Sequence, residues 1–197
     1  MARHERKAAG EGMDGLYEEF KERAQLLAAA VYRYAGIKEA AAGIAALVEE
    51  LNAQKVAVEQ APLLKLMELE KLLGGKLVDW SGENARQAAG RADVGIVSFE
   101  TAIAETGTIV QDASMIKSRL ASMLPPVCIA AGPTRGLAAT FREVMHSYAS
   151  GKKALPPYLA FVSGPSRTAD IERVLTIGVH GPGELHVVFI DELGGAG

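Results

Sequence analysis

Apolar positions recur at two different periods along this chain, and the period divides it into helices and strands. Leu16, Phe20, Leu27, Val31 and Tyr34 fall mostly at helix-compatible steps, with Glu18, Glu19, Glu22 and Arg33 off that line. Such spacing lines one face of a helix, which Gly36 would end. Ala40, Ile44, Leu47, Val48 and Leu51 repeat the pattern, so two helices are expected ahead of any strand. From there the pattern alternates. Lys55–Glu59 is a short β-prone run, and Pro62–Leu73 is an amphipathic helix with proline in its first turn, stopped by Gly74-Gly75. Lys76–Trp80 reads as a strand, Glu83–Ala89 as a short helix, and Asp93–Ser98 as a strand. The nearly unbroken apolar run of that last segment suits a parallel strand covered on both faces. Gly107–Gln111 and Val127–Ala131 are further strand candidates. Leu137, Phe141, Val144, Met145 and Tyr148 mark a helix, and Tyr158–Val162 and Leu185–Ile190 are the last strands.

Alternating strands and helices argue an α/β fold: a mainly parallel sheet with helices on both faces. No repeat, linker or low-complexity segment divides it, so residues 16–197 are expected to form one domain. Met1–Gly15, rich in charge and glycine, reads as a disordered arm. The 197 residues are 49% apolar, enough for one sizeable core. A net charge of -3, with the basic residues scattered among acidic ones, argues against nucleic acid as a partner. Cys128 is the single cysteine, which rules out an intrachain disulfide or a thiolate cluster built from this chain alone. No run approaches the roughly 20 apolar residues of a membrane span, and no secretory signal is visible. A cytoplasmic protein is the expectation.

Two polar stretches follow expected strands, where ligands bind in open α/β sheets. One is Ser163–Pro182, SGPSRTADIERVLTIGVHGP. Its Ser163, Gly164, Ser166, Arg167, Thr168 and Asp170 offer hydroxyls, a guanidinium fork and a possible helix start, the chemistry of an anion site. The plainer reading is a tight turn and N-cap with Arg167 in a surface ion pair. His180, beside Gly181, could transfer a proton near neutral pH or could simply fix the turn by bonding a carbonyl. The other stretch is Ser98–Thr108, SFETAIAETGT, with Glu100, Glu105, Thr106, Gly107 and Thr108. Glu105 is a candidate base, nucleophile or ligand acceptor; equally, it could pair with an arginine such as Arg167. Phosphate-loop, dinucleotide and nucleophile-elbow motifs are absent.

Three segments, Ala92–Val110, Arg119–Ala130 and Ser163–Asp191, resemble the LUD (lactate-utilization) domain family. The likeness covers most of the C-terminal two-thirds and little of the first hundred residues. It implies a fold like that of the CoA-transferase and ribose-phosphate isomerase group, and a part in oxidising L-lactate to pyruvate. It further implies sister subunits that carry iron–sulfur clusters, with this chain holding no cofactor of its own; the residues themselves add the expectation of a pocket for a small anion or phosphorylated ligand, bound through Arg167, the Ser166 and Thr168 hydroxyls and the following helix start. The family's polar motifs map onto Glu105, Thr106, Ser166, Arg167, Thr168, Asp170 and His180. Cys128 departs from the pattern, which more often has a polar residue there. Two alternatives stand beside this reading. One is a free-standing transferase or ligase using Glu105 on a CoA- or nucleotide-like substrate; the other is a regulatory binding module. A homo-oligomer is compatible with each.

Overall fold

The buried apolar runs become strands of one parallel sheet, and the shorter, more polar ones build a second. The computed structural model describes residues 12–80, 84–168, 176–177 and 181–193. In chain order the first half holds α1 (Met13–Leu26), β1 (Ala30–Gly36), α2 (Ile37–Glu50), β2 (Val56–Val58), α3 (Pro62–Leu66), α4 (Leu69–Leu73), α5 (Ala85–Gly90) and β3 (Val94–Ser98). The second half holds β4 (Thr101–Ile103), β5 (Thr108–Asp112), α6 (Ile116–Met123), β6 (Val127–Pro133), β7 (Leu137–Ala138) and α7 (Phe141–Ala149). It closes with β8 (Leu159–Val162), β9 (Arg167–Thr168), β10 (Thr176–Ile177) and β11 (Glu184–Glu192).

The five-stranded sheet has the order β1-β11-β6-β3-β2, and its pairs are parallel. Alternation along its strands feeds two cores. Val94, Ile96, Ile129, Val188 and Ile190 face α2, α3 and α4. Val97, Cys128, Ala130, Leu185, Val187 and Phe189 face the other way, toward α1, α5 and α6. Phe189 is fully buried there, edge-on to Tyr17, Phe20 and Phe99 at ring centroid distances of 5.7, 4.9 and 5.3 Å. Gly95 lets α6 lie directly on β3, since a Cβ would stand 1.9 Å from the Ala121 carbonyl oxygen. The four-stranded sheet, β7-β4-β5-β8, is mixed and packs one face on that second core through Ala102 and Ile109. Ile103, Val110 and Val144 form a small separate cluster beneath α7.

The structure corrects the N-terminal reading. The first helix stops at Leu26, and Val31–Tyr34 belong to strand β1 rather than to the helix. Leu27, Ala28 and Ala29 donate their N–H groups to carbonyls of the last helical turn, and Ala28 takes the left-handed conformation at φ 65°. Glycine normally fills that position, so the sequence carries no stop signal there. Gly36 ends β1 instead and leads into α2. The expected Pro62–Leu73 helix is broken at Glu68, also left-handed at φ 48°. Lys76–Trp80 is not a strand of the sheet; Leu77 makes one parallel bridge to Val56. Leu137 lies in β7, and helix α7 begins only at Phe141. Helix α6 and strand β4 were not anticipated. Most of the expected N-terminal arm lies outside the described residues, and from Met13 the chain is helical. Among the described residues, no helix is long and apolar enough to cross a membrane.

Candidate functional site

Antiparallel pairing of β5 with β8 brings the two polar stretches together. Ile109 stands opposite Val162 in that ladder, so Thr108 at the start of β5 meets Ser163 just past the end of β8. The Thr106 hydroxyl donates to Thr108 Oγ1 at 2.7 Å, and Thr108 Oγ1 shares a second 2.7 Å hydrogen bond with Ser163 Oγ. Gly107 and Gly164 hold both turns against the end of α1. Their φ values are 61° and 77°, and a Cβ on either would stand 2.4 Å from Ala24 N or 2.6 Å from Leu27 O. These glycines are therefore placed by close backbone approach as well as by turn geometry.

Glu105 is half-buried, and its Oε1 accepts the Phe141 backbone N–H at 2.7 Å. A carboxylate there satisfies an otherwise orphaned donor and complements the positive end of α7. Thr140 Oγ1 accepts from the Glu143 N–H, and Glu143 Oε2 accepts from the Ala139 N–H, completing the cap. Glu100 is exposed between β3 and β4, away from the Thr106–Thr108–Ser163 hydroxyl chain in sequence and topology. Arg167 is exposed on β9, which pairs antiparallel with β10, and no ion pair joins it to Glu105 among the described residues. Thr168 is placed by its backbone in the same two-residue strand. Asp170 and His180 lie outside the described residues.

Ser163, Gly164, Ser166 and Gly181 line a cavity of about 290 Å³ between the second sheet and α6. The Ser166 N–H donates to the Pro182 carbonyl at 2.8 Å, which ties the two sides of the opening. Among the described residues, the cation lining this cavity is Arg119 of α6, which sequence reasoning did not single out. Arg119 Nη1 donates to the Ala113 carbonyl at 2.7 Å, and the guanidinium lies 4.9 Å from the Tyr158 ring centroid. Its signal in the sequence was weak, because α6 itself was not anticipated. A separate open apolar groove along α6 shares Arg119 and Met123 with the cavity and is lined also by Arg86, Ile116, Lys117 and Leu124.

A second missed residue is Glu59, at the carboxyl end of β2. Its carboxylate accepts from Ser98 N at 2.7 Å, from Ser98 Oγ at 3.1 Å and from the Ser118 hydroxyl, so it ties β2, β3 and α6. The KVAVE run that it closes was readable as a strand, and the strand-end rule could have found it. It borders a cleft of about 390 Å³ with Lys65, Glu68, Asp79 and Trp80. Cys128 is buried, and burial foremost, with Glu59 nearby, pushes its thiol up to about 12. It therefore stays protonated and is a poor nucleophile. Among the described residues, no three His, Cys, Asp or Glu side chains gather as a metal site.

This arrangement is that of an α/β domain whose polar turns meet over a small cavity. Residues 17–190 match the LUD domain, and the chain belongs to the LUD domain family. It is 35% identical over 143 residues to lactate utilization protein C of Halalkalibacterium halodurans, covering 69% of this chain and 62% of that protein. The protein of the same name from an Exiguobacterium species is 38% identical over 122 residues, 56% of this chain and 50% of that one. The chain thus spans about half to three-fifths of the length of these curated relatives. The crystal structure of a DUF162 family protein from Deinococcus radiodurans superposes with a TM-score of 0.66 over 92% of this chain and 99% of that one, at 21% identity.

Proposed function

We propose that this chain is a component of a cytoplasmic lactate-utilization system, working with iron–sulfur subunits in the oxidation of L-lactate to pyruvate. The observation that carries the reading is its similarity to proteins named lactate utilization protein C. The chain's own part is to bind, through the cavity under Ser163–Ser166, a small anionic or phosphorylated ligand. Iron–sulfur clusters would be held by the partner subunits. The apolar groove along α6 supports association, because contiguous exposed apolar surface with a polar rim is typical of docking faces. Deleting the gene should abolish growth of the source organism on L-lactate as sole carbon source, and a tagged chain should co-purify iron–sulfur proteins. Normal growth together with no such capture overturns the assignment.

The rival reading gives the chain chemistry of its own, with Glu105 attacking an acyl-CoA or nucleotide-like substrate. The hydrogen bond from Phe141 N favours a capping role over that one. Incubation with a panel of acyl-CoAs separates the two: a mass adduct abolished in Glu105→Gln supports the enzyme, and no adduct leaves the cap.

A further inference from the structure

Strand β8 is the outer strand of the four-stranded sheet, and it lacks the features that keep sheet edges single. Outer strands are normally protected by brevity, by charge or by proline within them. The opposite edge, β7, is only two residues long. In the five-stranded sheet the edge strand β2 has three residues, and β1 carries Arg33, paired with Asp14 and Asp191. Strand β8 instead lies in a stretch without charge, Ala154–Ser166, and no proline falls within Tyr158–Val162.

The ladder shows which backbone groups this edge presents. The Ala113 N–H donates to the Tyr158 carbonyl at 2.9 Å, which fixes the phase of the β5–β8 pairing. Tyr158, Ala160 and Val162 therefore turn their backbone groups toward β5, while Leu159 and Phe161 turn theirs outward. The side chains that flank the edge are apolar. On one face the Phe161 ring lies 5.3 Å from that of Phe141, and Met145 follows Phe141 by one turn of α7. On the other face Tyr158 stands across the cavity from Met123. These five side chains are each 38–55% exposed. Together they present on the order of 400 Å² of apolar surface. A standard interface buries roughly 800 Å² on each partner, a little over half of it apolar, so the patch has the apolar area that a stable dimer needs.

We propose that β8 pairs antiparallel with β8 of a second copy of this chain, joining two four-stranded sheets into one of eight strands about a twofold axis. This goes beyond the lactate-system reading and does not rest on it. Residues that face each other across a ladder share a face of the sheet, which leaves few registers open to a strand that pairs with itself. Centred on Ala160, the ladder sets Leu159 against the partner's Phe161 and Tyr158 against the partner's Val162, apolar against apolar throughout. Both outward-turned residues then exchange hydrogen bonds. A register centred on Leu159 would set Phe161 against Pro157, which has no N–H to give. One centred on Phe161 would run into Gly164, whose φ of 77° takes the chain out of extended form. A second copy suits the edge because the edge is complementary to itself and holds no charge to meet its like. The contact is isologous and closes, leaving only the two-residue β7 at either end of the joined sheet. Met123, Tyr158 and Phe161 also line the 290 Å³ cavity, so the cavities of both copies open toward the same interface.

Sedimentation of the purified whole chain tests this, with an introduced cysteine to locate the contact. The unaltered chain should sediment as a dimer. In Ala160→Cys, mild oxidation should link the two copies, because a pair of this kind stands about 4.5 Å apart between Cα atoms, within reach of a disulfide. Cys128 is buried and does not compete. Glu70→Cys, exposed on α4 away from the edge, should give no link. Phe161→Glu should weaken dimerisation about 100-fold or more, since it removes a central aromatic contact and places like charges near the axis. Met145→Glu, on the exposed side of α7, should weaken it about tenfold and decides the matter should Phe161→Glu not fold. A chain that sediments as a monomer overturns the proposal, and so does a dimer that withstands these charges or does not link in Ala160→Cys. A monomer whose β8 amides are protected from exchange only beside a co-purifying protein gives the edge to that protein and overturns it as well.

Discussion

The two sheets of this protein are built on different principles. In the five-stranded sheet the strands are parallel, covered on both faces, and filled with residues such as Val94, Ile96, Ile129 and Phe189 that are almost wholly buried. In the four-stranded sheet the strands are short and mixed in direction, and β8 carries partly exposed residues along its length. One holds the fold together; the other lines a cavity with Ala160, Val162 and Ser163. The difference shows where a small domain places its polar liabilities: in the layer whose disturbance costs least.

The largest effect should come from breaking the first layer. Phe189→Ala removes a ring that meets three other aromatics and should cost about 3–5 kcal/mol, lowering the denaturation midpoint of the whole domain. An alanine variant that loses under 1 kcal/mol would mean the two layers are not so unequal. Ala28→Gly should act in the opposite direction. It relieves the left-handed backbone between α1 and β1 and should add about 0.5–1 kcal/mol by chemical denaturation, because αL strain on alanine outweighs the added chain entropy. Glu105→Gln acts on the cap of α7, beside the second layer. Weakening the cap on α7 should cost about 0.5–1 kcal/mol and speed amide exchange in Phe141–Glu143 without altering exchange in β6 or β11.

The smallest effect is tied to pH. Burial is the largest single influence on Asp191 and opposes its ionisation, but hydrogen bonding, from Arg33 at 2.8 Å first, and the Arg33 charge together outweigh it, so the carboxyl is held below its ordinary range. A group depressed in the folded state contributes stability above its unfolded value, about 3.9, and loses it as pH falls through the lower folded one. Asp191→Asn should therefore cost under about 1 kcal/mol at neutral pH, since the pair is partly exposed. The gap between the two proteins should close under increasingly acid conditions. A gap that widened on acidification would contradict the sign.

The same contrast explains what could be read from the sequence. Strands β3, β6 and β11 were legible because their apolar runs are long and nearly unbroken. Strand β1 was not, because Val31 and Tyr34 also fit the helical spacing of the preceding segment and Ala28 turns the chain without a glycine. The meeting of the two polar stretches was expected from the carboxyl ends of parallel strands. It arises instead from antiparallel pairing, which places the start of β5 beside the end of β8. Gln111 was hidden for a different reason: it is a polar residue at the end of the Gly107–Gln111 run, and nothing in its type announces the full burial it has in β5.

Strand β11 lies between β1 and β6, although it is the last in sequence of the described strands. During synthesis, then, the N-terminal strand must wait with its hydrogen-bonding edge open until residues 184–192 leave the ribosome. A nascent chain stalled before Glu184 holds the two halves of its sheet apart, with β1 on one side and β6-β3-β2 on the other. Emergence of residues 184–192 from the ribosome, more than any earlier step, is the event that closes the domain.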